Sequence, residues 1–299
     1  MRAPLYGLSL ALSALVLLAG CGSDAAAPGG NELSAATAAD AGAAAQDEVE
    51  EATESFTVGG QLDPAASFAS AAPAAARPSA AFLQDCASIG SVTDTDGDGA
   101  PDNAVFTFGL PACHFENFRG GTLDLTGVIT LSDPTPAAPD FAWHADLDDF
   151  TFAATNVRSE TFTAVRNGTR DLTGNADGLT LANNVTTVRT ASGHPAVQVT
   201  HNLQLAFTPV TALVPDQPLP SGAITVAGTL TFVRDTVSRT FTVTTLVPLE
   251  YDASCVGPRR FRIRAGEVRW TLPSGGYVSV SWSGCGARPR RDYVPNPAS

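Results

Sequence analysis

From Phe82 onward, apolar and polar residues alternate along the chain with a period of two. In Gly121–Asp133, Leu123, Leu125, Ile129 and Leu131 share one phase, and Asp124, Thr126 and Thr130 hold the other. Gly222–Thr236 repeats the arrangement with Ile224, Val226, Leu230 and Phe232. Further runs cover Val197–Phe207, Phe241–Tyr251, Phe261–Leu272 and Tyr277–Trp282, separated by Gly, Pro and Asp. No helical period competes with them. Such runs predict an all-β domain of short antiparallel strands, buried on one face and wet on the other. An antiparallel β-sandwich and a partly closed barrel satisfy the pattern equally. Gly121–Gly127 and Gly222–Gly228 carry glycines at equal spacing, and Val165-Arg166-Asn167 resembles Val233-Arg234-Asp235. These likenesses suggest a duplicated β unit of roughly 70 to 100 residues. Residues 81–289 are expected to form the β domain, and 290–299, closing on Pro295-Asn296-Pro297-Ala298-Ser299, a polar tail.

The texture before residue 81 is different. Residues 22–80 are Ala, Gly, Ser, Pro and acid, with Arg77 the only basic residue and an acidic cluster at Asp47, Glu48, Glu50, Glu51 and Glu54. Little bulky apolar material is present to offset chain ordering, which predicts a disordered acidic tether over 21–80, with at most transient helix in Leu33–Gln46. At the start, Arg2 precedes a nearly continuous Leu, Ala and Val run from Leu8 to Leu18. That run is too short to span a bilayer, which takes about 20 residues, so it reads as a secretion signal.

The signal ends in Leu18-Ala19-Gly20-Cys21. This segment resembles the lipobox of bacterial lipoproteins. The resemblance implies removal of residues 1–20, acylation of Cys21 and attachment to a membrane through that residue. Gly22 and Ser23, with no Asp directly after the cysteine, imply the outer membrane of a Gram-negative bacterium. The alternative is an ordinary signal peptide that contains a cysteine. A transmembrane barrel would also alternate along its strands, but an anchor, a tether, disulfides and a polar end fit it poorly.

The chain of 299 residues has a formal net charge of −13, and all 17 of its basic residues are arginine. An acidic balance argues against nucleic acid as a partner, because phosphate binding needs a basic surface. Beyond Cys21 stand Cys86, Cys113, Cys255 and Cys285. An even number in an exported chain predicts disulfides, and the absence of any Cys-x-x-Cys argues against zinc or thioredoxin-like use. Of three connectivities, Cys86–Cys113 with Cys255–Cys285 is the most local and is the expected one.

The sharpest local motif is Asp94-Thr95-Asp96-Gly97-Asp98-Gly99-Ala100-Pro101-Asp102. Carboxylates at alternate positions converge when a loop curls, and hard oxygen donors suit calcium. The segment resembles EF-hand loops and, more closely, thrombospondin type 3 repeats. Carried over by position, Asp94, Asp96 and Asp98 would ligate through side chains, Ala100 through its carbonyl, and Asp102 would complete the site directly or through water. The twelfth position falls on Val105, so the bidentate carboxylate is missing and affinity should drop to about 10⁻⁴–10⁻³ M. The bland alternative is a solvated Asp/Gly turn. A structural role is expected, inside a loop closed by Cys86 and Cys113.

Two other clusters compete for attention. His144, Asp146 and Asp148 share a strand face opposite Trp143, Ala145 and Leu147, which fits a metal or hydrolase site or an ordinary wet face. His201 lies in phase with Val199, Leu203 and Leu205 and is expected to be partly buried and hydrogen-bonded. Arg260, Arg262 and Arg264 alternate with Phe261, Ile263 and Ala265. This ridge could bind an anionic envelope glycan or glycolipid, or pair with acids on a neighbouring strand. No Gly-x-Ser-x-Gly elbow, His-Glu-x-x-His or Gly-x-x-x-x-Gly-Lys loop occurs in the mature chain. The expectation is a non-enzymatic, monomeric envelope lipoprotein with a calcium-stabilised β domain. A lipid carrier with a β cavity and a hydrolase near His144 are the alternatives.

Overall fold

A computed structural model describes residues 35–54, 56, 86–98, 100–116, 121–214, 217–255, 262–285 and 287–295. Cys21 and Arg260 lie outside them. The described residues form one helix, α1 (Ala35–Glu54), and thirteen strands. In chain order the strands are β1 (Ser88–Ile89), β2 (Asn103–Phe108), β3 (His114–Glu116), β4 (Thr122–Ser132), β5 (Trp143–Thr155), β6 (Thr161–Asn175) and β7 (Gly178–Ala191). They continue as β8 (His194–Pro209), β9 (Gly222–Arg234), β10 (Val237–Tyr251), β11 (Ile263–Thr271), β12 (Tyr277–Ser283) and β13 (Arg290–Val294). All belong to a single antiparallel sheet ordered β1-β2-β4-β5-β6-β7-β8-β9-β10-β11-β12-β13, with β3 added beside β4, and the sheet does not close into a barrel. The all-β expectation holds, as one continuous meander rather than two stacked sheets.

The alternation read from the sequence is the burial pattern of the strands. Leu125 and Ile129 on β4 are fully buried, as are Ile224, Val226, Leu230 and Phe232 on β9. On β5, Trp143, Ala145 and Leu147 point inward, and a bulge at Asp148–Asp149 resets the phase so that Phe150 and Phe152 point inward too. Bends occur where a side chain would not fit. A Cβ at Gly127 (φ 107°) would lie 2.4 Å from the Asp149 carbonyl oxygen, and one at Gly228 (φ 133°) 2.1 Å from that of Asn202. These glycines occupy like positions on β4 and β9. The duplication suggested by the sequence stops there: Arg166 is buried inside β6, whereas Arg234 ends β9 and pairs with Asp40.

One segment behaves differently from the sequence reading. Ala35–Glu54, expected within a disordered tether over 21–80, is a packed helix. Ala38, Ala41, Ala45 and Val49 recur at helical spacing, and all are buried together with Ala44 and Phe56. Alanine has the highest helix propensity, and its small side chain lets the helix axis approach the sheet. The bulk missing from the helix comes from Leu230, Phe241, Trp270 and Val278, which close around Ala41 and leave no void of water size. α1 touches β8, β9, β12 and β13. Within one turn of α1, Asp40 pairs with Arg234 of β9 while Gly42 lies against Val278 of β12 and Arg291 of β13. Four strand spacings separate β9 from β13, about 19 Å on a flat sheet, whereas a helix is about 10–12 Å across. The sheet therefore curls around the helix.

Three acids of the helix have partners. Asp40 pairs with Arg234 at 2.9 Å and Asp47 with Arg189 at 3.5 Å. Glu50, only 2% exposed, accepts hydrogen bonds from Gln46 Nε2 at 2.9 Å and Trp282 Nε1 at 3.4 Å. The far end of the chain also differs from expectation. Residues 290–294, read as polar tail, form edge strand β13 on β12, with Tyr293 packed against the core. An edge strand needs few apolar residues, and charged ones protect its open side.

Candidate metal centre

The Asp-rich loop joins β1 to β2, and its carboxylates converge as the alternate spacing predicts. Side-chain oxygens of Asp94, Asp96 and Asp98 all lie within 4.8 Å of one another. Backbone turns hold them in place: Gly97 N–H donates to Asp94 Oδ1 at 2.7 Å, Asp98 N–H to Asp96 Oδ1 at 3.3 Å, and Ala100 N–H to Asp98 Oδ1 at 2.8 Å. Asp98 is held through its second oxygen too, Oδ2 accepting from Asp140 N–H at 3.1 Å. Asp98 is 2% exposed, and burial pushes its carboxyl above the ordinary 3.8 although backbone N–H groups of Ala100 and Asp140 pull it down.

Asp102, expected to complete the set, does other work. Its Oδ1 accepts from Thr95 N–H at 2.9 Å and its Oδ2 from the Thr95 hydroxyl at 2.6 Å, bonds that hold its pKa below 3.8. With Asp102 N–H donating to the Thr93 carbonyl at 2.8 Å, this closes the neck of the loop. Ala100 is buried beside Asp98. Cys86 and Cys113 lie at disulfide distance, Cα–Cα 5.0 Å, and bracket the loop. Cys255 and Cys285 form the second pair, Cα–Cα 5.5 Å. The local connectivity is the one the structure adopts.

The remaining candidates separate by partner. His144 Nδ1 meets Asp171 Oδ1 at 2.6 Å on the outer face, and Ser132 stands opposite His144 on the β4–β5 ladder. Asp146 and Asp148 are exposed beside it. His201 is 1% exposed, inward as predicted. Of the arginine ridge, Arg264 is held by Glu250 at 2.8 Å and Asp252 at 3.7 Å, and Arg262 donates to the Ala253 carbonyl at 3.1 Å. Cross-strand pairing with Glu250 accounts for Arg264, whereas Arg262, just before β11, bonds the backbone of the turn that follows β10.

Sequence reasoning missed a polar seam inside the curl: Arg166 and Arg170 on β6, Asn183 and Thr187 on β7, and His201 on β8 are all buried. Arg170 Nε donates to Asn183 Oδ1 at 2.9 Å. The signal was available, since Arg166 and Arg170 share phase with Ala164 and Leu172.

A second pair, His114 with Asp124 at 2.5 Å on β3 and β4, is partly exposed, and the carboxylate raises the imidazole above its ordinary 6.5. A raised histidine contributes stability that is complete below pH 6.5 and is lost as pH rises through the folded value. Asp124→Asn should return the His114 titration, followed by NMR of the imidazole protons, toward 6.5.

No family model, curated protein or solved structure matches this chain.

Proposed function

We propose that the chain is a non-enzymatic, calcium-stabilised structural module of the bacterial cell envelope, anchored through acylated Cys21 to the outer membrane. The convergence of Asp94, Asp96 and Asp98 carries the calcium part. Three carboxylates this close repel one another, and a divalent cation with hard oxygen ligands removes that repulsion. Two disulfide pairs support an oxidising compartment. The anchor rests on Leu18-Ala19-Gly20-Cys21. The reading as a structural module is favoured over an apolar carrier by α1, which occupies the concave face of the sheet. It is favoured over a glycan-binding ridge by the ion pair of Arg264 with Glu250.

Palmitate labelling in an exporting Gram-negative host tests the anchor. The wild-type chain should take up label and sediment with outer membrane, and Cys21→Ser should lose both. Equal labelling of the two would overturn the anchor without touching the metal site.

A further inference from the structure

Docking of α1 sets the end of the domain from which the anchor leaves. The helix runs along the strands. Near its start, Asp40 pairs at 2.9 Å with Arg234, the last residue of β9. Just past its end, Phe56 packs on Phe207, near the close of β8. Ala35 lies five residues before Asp40, about 7.5 Å further along the axis, so α1 starts level with the β9–β10 turn. Strand pairing gathers other turns at the same end. Thr155 stands opposite Thr161, Ala191 opposite His194, Arg234 opposite Val237 and Thr271 opposite Tyr277. The Asp-rich loop lies at the other end, because Asn103, just after it, pairs with Ser132 at the far end of β4.

Fourteen residues carry the chain from Cys21 to Ala35. However they are arranged, they reach at most about 50 Å, against about 200 Å for a tether running to residue 80. β8, with 16 residues, is itself about 50 Å long. Acylation at Cys21 thus keeps the end where α1 starts beside the bilayer, while the Asp-rich end stands a strand length away. The surface at the near end suits that neighbour. Turns favour Gly, Asn, Asp and Ser. Here Val157, 60% exposed, caps the β5–β6 turn, and Val237, 43% exposed, flanks the β9–β10 turn. Asn156 Oδ1 accepts from the N–H groups of Arg158 at 2.8 Å and Glu160 at 3.0 Å, which fixes the backbone that carries Val157. Arg158 is exposed, and its guanidinium has no acid partner among the described residues. Of the acids at this end, Glu160 accepts from Asn156 Nδ2 at 2.6 Å, Asp40 pairs with Arg234, and Asp235 is exposed. An apolar side chain entering the headgroup layer beside a guanidinium that meets lipid phosphate is an interfacial contact. Because the anchor makes the contact intramolecular, weak insertion is enough.

We propose that the β5–β6 and β9–β10 turns, through Val157, Arg158 and Val237, seat the domain on the phospholipid surface of the membrane that holds Cys21, with the Asp-rich loop directed away. This rests on the acylated Cys21 reading. The test uses the full oxidised, acylated chain in phosphatidylethanolamine and phosphatidylglycerol vesicles carrying a headgroup nitroxide. Tryptophan fluorescence is compared for Val157→Trp, Val237→Trp and Val210→Trp. Val210, 74% exposed beyond the end of β8, marks the opposite end, and the native Trp143, Trp270 and Trp282 are buried and give a common background. Val157→Trp and Val237→Trp should lose fluorescence to the nitroxide, whereas Val210→Trp should lose no more than the unsubstituted chain. Val157→Asp with Arg158→Glu, placed in the Val237→Trp chain, should relieve its quenching. Equal quenching at the three positions, or none at any, in a vesicle-bound chain would overturn the docking and leave the anchor standing. A chain purified without acyl mass and left in solution by the vesicles would overturn both.

Discussion

Replacing Phe56 by Ala should lower the free energy of unfolding by about 3–5 kcal/mol, the cost of emptying a fully buried aromatic site. Phe56 lies just beyond α1, is completely buried, and packs against Phe207 of β8 with ring centroids 5.9 Å apart. Its loss removes the anchor that fixes the helix end inside the curl. Urea unfolding of the oxidised chain measures the effect. A chain beginning at residue 80 should go further. Without α1, Leu230, Phe241, Trp270 and Val278 lose the cover that Ala41 and its neighbours supply. That chain should bind a hydrophobic dye and aggregate. Unfolding curves unchanged by Phe56→Ala would mean that α1 contributes nothing to the folded domain.

Cys86→Ala with Cys113→Ala should lower stability by about 3–4 kcal/mol, the value expected for releasing a loop of about 30 residues. The bridge spans 27 residues and encloses β1, the Asp-rich loop and β2, with Cys113 wholly buried. Its loss should also weaken calcium binding, because the loop would no longer be fixed at both ends. The corresponding pair of changes at Cys255 and Cys285, separated by 30 residues, should cost a similar amount of stability and leave calcium affinity unchanged. Chemical denaturation of the two variants, each with a calcium titration, separates these effects.

The strands were legible because a half-buried strand writes its environment every second residue. Leu123 to Leu131, Ile224 to Phe232 and the inward His201 needed nothing beyond that periodicity. α1 was not legible from the same criterion. Its face is alanine, and composition read alone treats a run of small residues as unable to bury enough surface. The bulky half of the contact is on β9 to β12, distant in sequence. β13 was missed for a related reason: Arg290, Arg291 and Asp292 look like a solvated tail, and only pairing to β12 makes them a strand. At the metal centre, Asp94, Asp96 and Asp98 were legible as alternating ligands on one loop. Asp102 was read as a further ligand, and spacing does not reveal the bonds from Thr95 that hold both its oxygens outside the convergence of the other three.

Thermal unfolding of the full oxidised chain in millimolar calcium, compared with chelator and with equal magnesium, tests the central claim most directly. Ligand that binds only the folded state stabilises it by RT ln(1 + [L]/Kd), about 0.4–1.4 kcal/mol for millimolar calcium against a Kd of about 10⁻³–10⁻⁴ M. The melting temperature should rise with calcium concentration, follow that dependence, and respond weakly to magnesium, which tolerates irregular oxygen sites poorly. Superimposable melting curves in calcium and chelator would contradict a calcium-stabilised domain and leave the Asp-rich loop as a turn held by its own backbone hydrogen bonds.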